Sequence, residues 1–381
     1  MSMLPYGRQS VSEEEIAAVT EVLRGDWLTT GPAVRQFEAD LAEWAGGAEC
    51  VSVTSGTAAL HTAYAAAGVG PGDEIVTTPL TFIATASTAA MLGATVVFAD
   101  VDPNTGLLDP DAAKAAVTDR TKVVAAVDWA GQPCDYDALR EVATPVGALL
   151  LDDAAHSIGA RYKGKPIGTV TDLTTFSFFP TKNLTTAEGG AVASTRPALA
   201  ERAARFRNIG LVREPHRFAI RSEGAWHQEV HEFGLNYRLS DVLCALGIVQ
   251  LKRLRGFLSR RADLVARYRE ALSDVEGLGL VEVREDVTPA WHLFPVRVRE
   301  GRRREVYEKM RGAGIGVQVN YIPAYWHPVF AEQGYRRGLC PTAERWYEEE
   351  LSLPLFPDLT DTDQARVIET LRGILGAGGV R

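Results

Sequence analysis

The spacing of apolar residues changes along this chain. Short apolar runs at 50–53, 74–77, 95–99, 122–127 and 148–151 are each followed by a polar turn and then by helical spacing. Apolar runs this short, bounded by turn residues, read as strands buried on both faces. Strands that alternate with helices predict a mostly parallel sheet between helices, an α/β fold.

The helical stretches carry their own signals. Ser12 precedes Glu13, Glu14 and Glu15, which suits a capped helix start where the dipole favours acids. Ile16, Val19, Val22 and Leu23 mark the expected buried face, and Gly25 the stop. Helix resumes over 33–44, and an alanine-rich helix is expected over 58–67. The loop between the first two, DWLTTGPAV, reads on its own as a turn.

Past residue 197 the pattern changes. Residues 198–209 read as a basic helix. The stretch LVREPHRFAIRSEGAWHQEVHEFG has no clear period and reads as a functional loop or an arm for a partner. An amphipathic helix follows Asn236, Tyr237 and Arg238, and a basic helix covers 251–272. Expected strands at 290–298, 316–321 and 351–355 and helices at 302–313 and 361–375 form a smaller α+β unit. The expected division is a large domain over 1–250 and a small one over 251–381.

Candidate chemistry centres on FSFFPTKNLTTAEGGAV, residues 176–192, which reads as strand, tight polar loop and strand. At its middle is Lys182. Burial between strands would lower the pKa of the amine. A neutral amine is what Schiff-base chemistry needs. Alone, a lysine in such a loop is more simply a surface residue. About thirty residues upstream, the strand 148–151 ends in Asp152 and Asp153, followed by His156. Ligands of α/β sheets sit at the carboxyl ends of parallel strands. A carboxylate there can keep a pyridine nitrogen protonated while a nearby lysine carries the aldehyde of the same ring, the pyridoxal 5′-phosphate pattern. Taken alone, the acid pair is more simply a helix cap after a strand.

A third segment fits the same ligand. The strand 50–53 runs into Ser55, Gly56 and Thr57 and then a helix, an arrangement that can bind phosphate through backbone N–H groups, though on its own it is more simply an ordinary helix cap. Phe82 could cover a flat ring or simply pack in the core. His227 and His231 lack the remaining features of a metal site, so no metal is expected.

Composition bounds the partners. The 381 residues carry a formal net charge of −9, which disfavours nucleic acid and anionic membranes. Cys50, Cys134, Cys244 and Cys340 fit no disulfide or metal spacing, as expected of reduced thiols in the cytoplasm. The first ten residues lack a signal-peptide pattern, and no apolar stretch has membrane-spanning length.

The motifs TSGTAALH, TFIATA, AGQPCD, DDAAHSIGA, SFFPTKNLTTAEGG, GLNYRLSD, VQVNYIP and LSLPLFPDLT occur in one order along nearly the whole chain. Together they resemble the DegT-type sugar aminotransferases, fold type I enzymes that use pyridoxal 5′-phosphate to aminate keto groups of nucleotide-linked deoxysugars. The similarity extends to the UDP-4-amino-4,6-dideoxy-sugar transaminases of pseudaminic acid synthesis, on YGRQS and DWLTTGP, and to 4-aminotransferases of dTDP-4-keto-6-deoxyglucose.

The resemblance implies catalytic roles for Lys182 and Asp153. His156 and Phe82 would flank the ring. Ser55, Gly56, Thr57 and Ser177 would contact the phosphate. Asn236 would reach the phosphate of a neighbouring subunit, which implies a homodimer with shared active sites. Tyr6, Asp26, Trp27, Leu28, Thr29 and Tyr321 would contact the nucleotide sugar, with L-glutamate as amino donor. Asn320 stands where many members have His, and Ala324, Tyr325 and Trp326 also depart from the pseudaminic pattern, all in the expected sugar pocket. A 3-keto-sugar aminotransferase or a non-catalytic regulatory protein that binds pyridoxal phosphate are the alternatives. A sugar 3-dehydratase of this fold would have histidine in place of Lys182.

Overall fold

The computed structural model describes residues 3–376. Seven strands form the main sheet: β1 (Glu49–Val53), β2 (Glu74–Thr77), β3 (Thr95–Phe98), β4 (Thr121–Val127), β5 (Leu149–Asp153), β6 (Leu173–Ser177) and β7 (Gly190–Ser194). Their order across the sheet is β1-β7-β6-β5-β4-β2-β3. Only β7 runs against the others, pairing antiparallel with both β1 and β6. The carboxyl ends of β1, β6, β5 and β4 therefore open on one edge, bringing Val53, Ser177, Asp153 and Val127 to the same side. This is the mostly parallel α/β sheet that the apolar runs predicted.

Helix α1 (Glu13–Arg24) starts at the expected cap, where Ser12 and Glu15 bond reciprocally as a capping box. Its buried face is not the expected one. Ile16 and Leu23 are exposed, whereas Glu15 is fully buried. The Glu15 carboxylate accepts from Gln250 Nε2 and Arg253 Nη1, each at 2.6 Å. A buried, paired carboxylate thus sets the rotation of this helix in place of its apolar stripe. Helix α2 (Pro32–Trp44) follows.

Helix α3 (Gly56–Ala67) follows β1 and is buried along nearly its whole length. Its alanines let it lie close to its neighbours. Gly68 ends it in the left-handed conformation, φ 76°. Helix α4 (Ala84–Met91) begins after a bend at residues 79–81.

The 32-residue helix Asp241–Leu272 runs from the main core, at Leu251 and Leu254, to a second core at Leu264, Val265 and Tyr268. The second core closes over a three-stranded antiparallel sheet of Leu278–Leu280, Phe294–Val298 and Glu350–Leu353, and includes helix Asp361–Gly376. Residue 251 lies inside one continuous helix, and Leu293, Tyr325 and Trp346 pack into the main core.

The expected strand over 316–321 does not form. Only Gln318 pairs, with Ser352. The Asn320 N–H instead donates to the buried Glu350 carboxylate at 2.6 Å, so it is not available for a ladder. In the stretch after residue 210, Leu211–Val212 pairs with Glu229–Val230, and Trp226 (77% exposed) and Phe233 (98% exposed) project from it. His227 and His231 both face Glu229. Among the described residues no group of three His, Cys, Asp or Glu has metal-site geometry.

Candidate active site

A cavity of about 450 Å³ opens at the carboxyl edge of the main sheet. β5 brings Asp153 to it, the loop after β6 brings Lys182, and the start of α3 brings Ser55, Gly56 and Thr57. Ser177, at the end of β6, faces that helix start. A Cβ on Gly56 would lie 2.7 Å from Ser177 Cβ, so only glycine permits this approach. Ser55 Oγ accepts from Ala58 N at 3.0 Å, capping the helix. The first N–H groups of α3 point out of the helix, where an anion is favoured.

Lys182 and Asp153 give the cavity one amine and one carboxylate. Lys182 is partly accessible, but only where the cavity reaches it, and protein surrounds it on the other sides. Burial lowers its amine to about 8, and the Asp153 charge partly opposes this. Burial raises the Asp153 carboxyl, while the Thr85 hydroxyl and the Lys182 charge pull it back down. Asp153 Oδ2 accepts from Thr85 Oγ1 at 2.6 Å, and Oδ1 from Ala155 N at 3.2 Å. Asp152 points to the opposite face of β5, where burial and then Asp128 push its carboxyl well up. No helix begins there, so neither acid caps one.

His156 stays neutral, held well below its usual pKa by burial and then by the Lys182 charge. Its Nε2 lies 3.1 Å from the Tyr321 hydroxyl, and its Nδ1 is buried without a partner. Phe82 is 57% exposed and meets Tyr321 edge-on, with ring centroids 6.1 Å apart. Tyr6 also lines the cavity.

Five expected residues lie outside this cavity. Asp26, Trp27, Leu28, Thr29 and Asn236 are exposed and line none of it. Thr29 pairs with Ser240, and Leu28 O accepts from Asp241 N at 3.1 Å. The 26–29 loop and the segment after Asn236 therefore lie side by side on one surface. Of the departures from the family pattern, only Asn320 reaches the cavity. Tyr325 is buried in the core and donates to Glu344 at 2.6 Å, and Trp326 lies under Arg337, 3.8 Å from its guanidinium carbon. Neither lines this cavity, because residues 324–326 turn back toward the main core.

The sequence reading missed His292 and Thr85. His292 lines the cavity and packs against His156 with centroids 4.4 Å apart. Its signal was alternation: His292 is in phase with the buried Phe294, Val296 and Val298, a polar residue on an apolar face. Thr85 follows Thr81 by one helical turn, and both hydroxyls are buried.

This arrangement fits pyridoxal phosphate. A phosphate suits the start of α3, which a Cβ on Gly56 would crowd. The ring suits the space between His156 and the opposite wall, with Asp153 and Lys182 both within the same cavity.

The fold and site define an aminotransferase of fold type I. The DegT/DnrJ/EryC1/StrS aminotransferase family matches residues 9–372, and the chain belongs to that family. It is a sugar aminotransferase whose cofactor is pyridoxal phosphate. The spore coat polysaccharide biosynthesis protein SpsC of Bacillus subtilis is 41% identical over 379 residues, 98% of this chain and 97% of that one. The PLP form of the sugar aminotransferase Spr1654 of Streptococcus pneumoniae superposes with a TM-score of 0.92 at 29% identity, covering 98% of this chain and 99% of that one. PseC of Helicobacter pylori, an aminotransferase involved in pseudoaminic acid biosynthesis, gives 0.91 at 27%, covering 99% and 100%.

Proposed function

We propose that this chain transfers an amino group from L-glutamate to the 4-keto group of a nucleotide-diphosphate-linked 6-deoxy sugar, giving the 4-amino sugar. The observation that carries this reading is an amine lining the cavity, lowered to about 8 by the protein around it, in one cavity with a buried carboxylate. When bound, pyridoxal phosphate supplies the aldehyde that takes the amino group and the ring that stores the electron pair released at the donor carbon.

The chain's own residues do the rest. Lys182 Nζ, with its proton affinity lowered toward the working pH, would take the proton from the donor carbon and deliver it to the aldehyde carbon of the cofactor. In the second half-reaction it would carry a proton from that carbon to the sugar carbon that receives the amine. Asp153 accepts the N–H of the ring. Gly56, Thr57, Ser55 and Ser177 hold the phosphate at the start of α3. His156 packs against one face of the ring, anchored by Tyr321, and Phe82 covers the mouth. The apolar walls exclude water.

The same reading assigns Tyr6 and Tyr321 to the nucleotide sugar. Asp26, Trp27, Leu28, Thr29 and Asn236 would serve the site of a second copy, since they are exposed and do not line their own cavity. The working unit is then a homodimer with shared active sites. Residues 1–250 act as the cofactor-binding domain and 251–381 as the smaller domain. A cytoplasmic location suits four buried, free cysteines, and no helix among the described residues is long and apolar enough to cross a membrane. The test is amination by the purified protein, with L-glutamate, of a panel of UDP- and dTDP-linked 4-keto and 3-keto sugars. Turnover of a 4-keto substrate is expected. Turnover restricted to 3-keto sugars, or absent with every sugar, contradicts the proposal.

A further inference from the structure

Asp153 is held by a residue that does not itself line the cavity. Thr85, in the first turn of α4, is fully buried. Its Oγ1 lies 2.6 Å from Asp153 Oδ2, 2.7 Å from Thr81 Oγ1 and 3.3 Å from Phe82 O. A hydroxyl has one proton to give. The shortest contact, to a carboxylate, takes it, because a charged acceptor makes the stronger bond. Thr81, which lines the cavity, must then donate to Thr85. The backbone at Thr85 is fixed as well, since Tyr64 Oη donates to its carbonyl at 2.8 Å.

The consequence is directional. A serine or threonine hydroxyl that donates favours the ionised form of its acceptor. Here the bond works against the burial that raises the Asp153 carboxyl. With Ala155 N on Oδ1 and Thr85 on Oδ2, each oxygen keeps a free lone pair for a donor arriving from the cavity. A protonated Asp153 would lose the negative charge that favours a protonated ring nitrogen and would accept only as a neutral, weaker partner.

We infer that Thr85, supported by Thr81, is a positioning residue that keeps Asp153 an oriented carboxylate for the ring nitrogen of the cofactor. The inference rests on the proposed roles of Asp153 and pyridoxal phosphate. Thr85→Ser keeps the hydroxyl and drops the methyl. Thr85→Val keeps the shape and drops the hydroxyl, and Thr85→Ala drops both.

The test titrates cofactor-free protein with pyridoxal phosphate by absorbance. It also follows the long-wavelength band of the loaded protein with pH. Thr85→Val and Thr85→Ala are expected to weaken cofactor binding about tenfold or more, the scale of a lost hydrogen bond to a charge, with Thr85→Ser close to wild type. Without the donor, Asp153 draws the ring proton toward itself. The ring then carries less positive charge, so the band should titrate at higher pH in Val and Ala but not in Ser. The kcat should fall while the KM for glutamate holds. Should the Val variant fail to fold, the Ala variant decides by the same readouts. Wild-type affinity and titration in the hydroxyl-free variants would overturn the inference, as would a Ser variant as weak as Val. If wild-type protein binds no pyridoxal phosphate at all, the wider reading fails as well, and that outcome is distinct from the first two.

Discussion

The Asn320 backbone N–H donates to Glu350 Oε2 at 2.6 Å, and Glu350 Oε1 accepts from Ser352 Oγ at the same distance. Glu350 is fully buried beneath the segment that carries Tyr321 into the cavity, and burial pushes its carboxyl up to about 8. The unfolded chain ionises this group near 4.5. As pH rises from there toward 8, the unfolded state loses a proton that the folded state keeps, so this group costs stability over that window. Glu350→Gln is expected to remove that slope. Melting curves at pH 5, 6.5 and 8 check this, and a variant whose melting temperature falls with pH as steeply as wild type would contradict it.

The amine at Lys182 has a pH signature of its own. Pyridoxal phosphate is captured by the neutral amine, so the rate of capture by cofactor-free protein should rise with pH around a midpoint near 8. Asp153 opposes the lowering of this pKa, so Asp153→Asn should move the midpoint down. Stopped-flow absorbance from pH 6 to 9 measures both. An upward shift in the Asn variant would mean that the two groups do not sense each other.

Gly56 is fixed by contact. Gly56→Ala sets a methyl 2.7 Å from Ser177 Cβ, and overpacking of this kind costs about 1–3 kcal/mol. The variant should melt lower and bind pyridoxal phosphate at least tenfold more weakly, as about 1.4 kcal/mol of lost phosphate contact requires. Ser177→Gly in the same chain should recover stability, though not the Ser177 hydroxyl contact. Calorimetry and absorbance titration separate the two effects.

Much of this was legible in the chain. The runs at 74–77 and 122–127 became β2 and β4 because their apolar centres, Ile75–Val76 and Val123–Val127, are buried on both faces of the sheet. Lys182, Asp153 and Gly56 were readable because each lies at or just past the carboxyl end of a strand. The rest depended on partners distant in sequence. Nothing near α1 announces that Glu15 will be buried, because its partners Gln250 and Arg253 lie more than two hundred residues away. The 316–321 stretch alternates like a strand, yet Glu350 takes its N–H. Tyr325 follows the cavity-lining Tyr321 closely in sequence, yet its hydroxyl donates to Glu344, distant in the chain.

Site sharing between two copies predicts complementation. Lys182→Ala and Asn236→Ala chains should each be nearly inactive alone. Mixed and reassembled, they form hybrid dimers with one intact site, and activity should recover to about a quarter of wild type if assortment is random. No recovery, with mixed dimers demonstrated by differential tagging, would contradict shared sites.

The account rests on Lys182 as the residue that carries the cofactor. Borohydride reduction of the pyridoxal phosphate-loaded protein, followed by peptide mass mapping, tests this most directly. A reduced pyridoxyl phosphate adduct on Lys182 alone is predicted. An adduct on another lysine, or none at all, would contradict it.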